Sequence, residues 1–130
     1  MVRIFKKLLY PLELRLRAKR QAKLDKIVSG ATDRVAEQIS ACQPPLSHRL
    51  FYGASAIHPR HLVTWYIFDT DGDLKDAAEN GLTSKIDALT RHELAAGGYP
   101  EVGILPMHVS FTSKEDVERK TGGNYYLYFK

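Results

Sequence analysis

The chain has 130 residues, of which 44% are apolar, 26% charged and 10% aromatic, a balance that excludes disordered or fibrous protein and points to one globular unit. A single cysteine, Cys42, excludes an internal disulfide and a four-thiolate zinc site and fits a reducing compartment. The net charge of +4 averages two unlike regions: residues 1–30 carry nine Lys or Arg against Glu13 and Asp25, whereas residues 31–130 carry ten basic and thirteen acidic side chains.

The basic lead does not read as a secretion signal. Its apolar stretch Leu8 to Leu12 is only five residues long, Glu13 and Arg15 interrupt it, and no small-residue cleavage site follows. No apolar run approaches the roughly 20 residues needed to span a bilayer, and the expected location is cytoplasmic. From Leu12 to Val28 the positions Leu12, Leu16, Leu24, Ile27 and Val28 form a helical stripe in which Arg20 takes one inward place. Pro11 suits the first turn of that helix and Ser29-Gly30 its end. Thr32 is the expected cap of a second helix with Val35, Ala36, Ile39 and Cys42 on one face, stopped by Gln43-Pro44-Pro45.

After Pro45 the composition turns β-branched and aromatic. Leu50 to Ile57 and Leu62 to Phe68 read as a hairpin around His58-Pro59-Arg60-His61, and the nearly continuous apolar run of the second strand predicts burial on both faces. Helical spacing returns at Leu74, Ala77 and Ala78 and again, past Asn80-Gly81, at Ile86, Leu89 and Leu94. Ser84 with Asp87 resembles a capping box. Ile104 to Thr112 reads as a third strand, Ser113 with Asp116 as the cap of a short helix over Lys114 to Lys120 that ends at Gly122-Gly123, and Asn124 to Lys130 as a fourth strand. The predicted fold is two-layer α+β: an N-terminal helical pair (1–45, basic) followed by a body (46–130) with a four-stranded, mostly antiparallel sheet and helices packed on one face.

Motifs for chemistry are scarce. Asp69-Thr70-Asp71-Gly72-Asp73 suggests a calcium loop, but the twelve-residue frame puts Leu74 where the sharp-turn glycine belongs and Asn80 where a bidentate Glu is required. The simpler expectation is that Asp71 or Asp73 caps the next helix. His58 and His61 form the one close histidine pair, across a Pro-containing turn that prescribes no common direction for metal binding. Cys42 falls at a helix end, where thiolate formation is not favoured, and reads as core filling. No glycine-rich phosphate loop, nucleophile elbow or His-Glu-x-x-His occurs, so no catalytic residue, metal or cofactor is assigned.

Three functional readings follow. The leading one is a small intracellular protein-binding module, acting in the manner of an immunity-type inhibitor, that docks a basic partner through Asp69, Asp71, Asp73, Asp76 and Glu79 together with Tyr126 and Tyr128 of the aromatic end. The second is a binder of nucleic acid or of an anionic membrane surface through Arg15, Arg17, Lys19, Arg20 and Lys23, with Ile4, Phe5, Leu8 and Leu9 available to lipid. The third is a metal-dependent enzyme using His58, His61 and an Asp. A homodimer built on the N-terminal helix and on the opposite charges of the two ends is compatible with each.

Overall fold

The computed structural model describes residues 2–130, with side chains from residue 11 onward. The order of elements is α1 (Val2–Gln38), β1 (Leu46–Tyr52), a 3₁₀ turn (Pro59–His61), β2 (Val63–Phe68), α2 (Asp71–Glu79), α3 (Leu82–Ala96), α4 (Glu101–Ile104), β3 (His108–Ser113), α5 (Lys114–Thr121) and α6 (Tyr125–Tyr128). The class is α+β, as the alternation of patterns predicts, with a three-stranded mixed sheet in the order β1-β2-β3.

The expected helical pair is one helix. Gly30 in a helix interior costs about 1 kcal/mol relative to Ala, but Leu24, Val28, Ala31, Val35 and Ile39 follow one another at three- and four-residue steps and are all buried, so a single rod through Ser29-Gly30 keeps one unbroken stripe on the core. Thr32 does not cap anything; its hydroxyl donates back to the Val28 carbonyl at 3.0 Å. Pro11 lies inside α1 rather than in its first turn. Its ring removes one amide donor from the helix ladder, at a point where the side chains of residues 11–20 are all exposed.

β1 and β2 pair antiparallel with Leu50 opposite Trp65, and β2 and β3 pair parallel with Trp65 opposite Ser110. The hairpin is thus present, but its first strand ends at Tyr52 instead of continuing to Ile57, and the parallel second pairing replaces the mostly antiparallel sheet. Gly53 takes φ +123° directly after β1, a conformation that ends the extended run. β3 begins at His108, after Pro106, and not at Ile104: residues 101–104 form α4, which lies on the 3₁₀ turn. The central strand encloses Tyr66, Ile67 and Phe68 fully, but Val63 and Trp65 are only half-buried, so the predicted burial on both faces holds only in part.

The fourth strand is absent. Asn124 to Phe129 has strand-like composition, yet the Asn124 side chain accepts from the Leu127 amide and opens the one-turn helix α6. Its rings settle on the sheet: Phe129 lies 4.8 Å from Trp65, and Tyr125 5.6 Å from His48. Helices consequently flank both faces. One face, bearing Phe51, Tyr66, Phe68, Val109 and Phe111, meets α1 and α3 in two adjoining apolar clusters, one around Leu24, Val28, Leu62, Leu94 and Met107, the other around Val35, Ile39, Tyr66, Phe68 and Ile86. The opposite face, bearing Trp65, is partly roofed by α6.

Candidate functional site

Parallel pairing of β2 and β3 puts the ends of both strands, and hence the starts of α2 and α5, side by side. That is where the acidic segment lies. Asp69 contributes its carbonyl to the Glu115 amide at 3.2 Å, and the Asp71 amide donates to Glu115 Oε1 at 3.0 Å. Thr70, not Asp71 or Asp73, caps α2, accepting from the Asp73 amide at 3.0 Å. The Asp71 carboxylate accepts from Ser113 Oγ at 2.5 Å and is paired with Arg119. Arg119 also reaches Asp116 at 2.9 Å, and Asp116 is bonded in turn to the Tyr128 hydroxyl, which touches Thr112 at 2.7 Å. The five expected docking carboxylates lie in different settings. Asp71 is engaged by its own chain, Asp73 is half-buried, Glu79 lies 4.0 Å from Lys75, and Asp69 and Asp76 are exposed. The two tyrosines expected to dock with them also differ: Tyr126 is 74% exposed, whereas Tyr128 is built into the Asp116 network.

The Ser113 hydroxyl, and after it the Arg119 guanidinium, hold the Asp71 carboxyl below the usual carboxylate range; the Tyr128 hydroxyl does the same for Asp116, followed by Lys120. Both groups carry a folded value below the unfolded one of about 3.9. Their contribution to stability is therefore complete above that value and is lost as pH falls through it towards the depressed folded values. In an NMR titration, Ser113→Ala and Arg119→Gln are each expected to raise the Asp71 midpoint. An unmoved midpoint in both variants would contradict this network.

Histidine geometry offers little to a metal. The His58 and His61 rings stand 6.1 Å apart at 72°, His58 Nδ1 is occupied by the Arg60 amide at 3.0 Å, and among the described residues no three His, Cys, Asp or Glu side chains converge. Partial burial pushes the His58 imidazolium down, helped by the nearby side chains of Arg60, His61 and Arg20. A cleft of about 500 Å³ runs along the outer edge of β1, but its two charged groups, Asp33 and Arg49, are bonded to each other at 2.5 Å. Cys42 is half-buried against the second apolar cluster.

The feature left over is α1. Gln21 clamps it to the body, donating to Ser55 Oγ at 2.9 Å and accepting from the Ala56 amide at 2.9 Å, and Arg34 with Gln38 ties it to Glu93 of α3 at 2.6 and 2.8 Å. Among the described residues before Gln21, 11–20 are all exposed, with Leu12 at 49% and Leu16 at 57%. The inward place expected for Arg20 does not exist, because the helix has left the body by that point. Arg15, Arg17, Lys19, Arg20 and Lys23 are all exposed on this stretch. Ile4, Phe5, Leu8 and Leu9 lie outside the residues whose side chains are described. The stripe predicted through Leu12 and Leu16 meets the core only from Leu24 onward; Lys19, Lys23 and Lys26 continue the spacing of the two leucines with cations. Among the described residues no helix is long and apolar enough to cross a membrane.

No family model matches the chain, and neither a curated protein nor a solved structure does.

Proposed function

We propose that the protein is a binding module that attaches to anionic membrane surfaces through the first half of α1. The observation that supports this reading is a helical stretch, residues 11–20, with three exposed leucines, four cations and a single acid, Glu13. A helix carrying apolar and cationic side chains without a protein partner gains stability at a lipid interface, where leucines leave water and cations meet headgroups. Nucleic acid would use the cations but offers nothing to Leu12 and Leu16, so the leucines favour lipid. The alternative, capture of a basic protein by the acidic segment, has Asp69, Asp76 and Glu79 to work with, while Asp71 is engaged by Ser113 and Arg119.

Co-sedimentation with phosphatidylcholine vesicles, with and without phosphatidylserine, tests the reading. Binding is expected to need the anionic lipid and to weaken steeply with salt. A lysine or arginine near such a surface contributes about 1 kcal/mol. Changing Arg15, Arg17, Lys19 and Arg20 together to Gln is therefore expected to lower partitioning by about two orders of magnitude or more. Equal partitioning onto neutral vesicles, or none onto anionic ones, would remove the proposal. Tight binding of an oligonucleotide that ignores Leu12→Gln and Leu16→Gln would replace lipid by nucleic acid.

A further inference from the structure

Leu12 and Leu16 of α1 turn to a different side from the apolar positions that pack on the body, whereas Leu14 turns nearer to the body's side. In the body, the core-facing stripe is Leu24, Val28, Ala31 and Val35, all buried. At 100° per residue, Arg17 lies on that same side, since it precedes Leu24 by seven positions. Leu12, Leu16, Lys19, Lys23 and Lys26 also succeed one another at four- and three-residue steps and make a second stripe, turned about 140° away from the first. Every member of this second stripe is exposed. It starts as leucine on the projecting part of the helix and continues as lysine as far as Lys26, over a length of about 21 Å; the same steps then reach Gly30, Asp33, which is paired with Arg49, and Glu37, and these end the cationic stripe.

Resting on the membrane-surface reading, we infer that α1 lies along an anionic bilayer on its Leu12-Leu16-Lys19-Lys23-Lys26 face, so that the sheet is carried on the far side of the helix and the α6 face of the sheet points away from the lipid. The lysines decide the occupant. A second copy of the same stripe would set like charges against each other, and an apolar groove would leave three ammonium groups without partners, whereas anionic headgroups neutralise the lysines while the leucines enter the acyl boundary. Placement of the body follows from the fold: α1 and α3 cover the sheet face that bears Tyr66 and Phe68, and α6 stands on the other face, against Trp65.

The test places an environment-sensitive fluorophore on single cysteines in a Cys42→Ala background whose unfolding is checked first. Labels at Leu16→Cys and Lys23→Cys are expected to brighten at least twofold on phosphatidylserine-containing vesicles, while labels at Arg17→Cys and Tyr126→Cys stay at their solution intensity. If the protein sediments with the vesicles but Arg17→Cys or Tyr126→Cys brightens as much as Leu16→Cys, this orientation is wrong and the membrane-surface reading stands. If no labelled protein sediments, both fall. If Leu16→Cys and Lys23→Cys are already shielded without lipid and light scattering reports a dimer, the stripe belongs to a second copy and the inference is overturned.

Discussion

Adding one methyl group at Gly103 is expected to destabilise the protein by about 3 kcal/mol or more. Gly103 sits in α4 against the 3₁₀ turn, where a Cβ would stand 2.3 Å from Pro59 Cβ and 2.6 Å from its carbonyl carbon. Most of that contact is backbone and a rigid ring, so relief requires α4 and the turn to separate. That in turn disturbs the Tyr99 hydroxyl, which donates to the Pro59 carbonyl at 2.5 Å, and the buried Leu62 and Met107 beside it. Gly53→Ala meets the same obstacle, with a Cβ 2.0 Å from the His61 carbonyl oxygen at φ +123°. Gly81→Ala is the control: φ is +87° there but nothing lies within 4 Å, so only the left-handed backbone penalty of about 1 kcal/mol applies. Denaturant unfolding of the three variants separates steric from conformational cost. Equal losses at Gly103 and Gly81 would show that α4 does not press on Pro59.

Tyr66→Phe is expected to reverse its effect between neutral and alkaline pH. The Tyr66 hydroxyl is fully enclosed, 2.7 Å from Thr90 Oγ1, and Thr90 spends its own hydrogen on the Ile86 carbonyl at 2.7 Å, so Tyr66 is the donor. Removing that bond leaves Thr90 short of a donor and costs about 1 kcal/mol near neutrality. Burial, however, pushes the Tyr66 phenol up to about 12, against about 10 in an unfolded chain. Below the unfolded value both states are protonated and stability is complete. As pH rises past it the unfolded chain ionises first, and stability drains away until the folded value is passed. Two pH units correspond to nearly 3 kcal/mol, more than the hydrogen bond supplies, so above about pH 11 the phenylalanine variant is expected to be the more stable protein. Urea unfolding at about pH 8 and about pH 11.5 measures the crossing. A variant that loses stability with pH as steeply as the parent would assign the alkaline weakness elsewhere, with Tyr99, also pushed up to about 12 by burial, the first candidate.

The network at the start of α2 and α5 shows how far a sequence reading reaches at this site. Ser113 as the cap of α5 was legible, because a serine three residues before Asp116 is a local signal, and its hydroxyl does accept from the Asp116 amide at 3.0 Å. The partnership of Asp71 with Arg119, 48 residues away, was not. It exists because β2 and β3 run parallel, and nothing within a few residues of either group encodes that direction. The acidic segment therefore looked like a free patch, although one of its members closes a contact between two helices.

By itself the sequence determined the α+β class, the buried central strand, the two helices after it and the glycine stop of α5, since each depends on periodicity or on a residue's own backbone preference. Tertiary structure decided whether Ser29-Gly30 breaks a helix, whether the tyrosine-rich end is a strand, and which leucines of α1 are core. Each of these outcomes turns on long-range packing: Val35 and Ile39 reach the sheet only if the helix continues, Phe129 reaches Trp65 only if the last residues coil, and Leu12 and Leu16 stay in solvent because the body ends before them. Local preference is worth about 1 kcal/mol per residue at most sites, and a buried aromatic or aliphatic side chain is worth more.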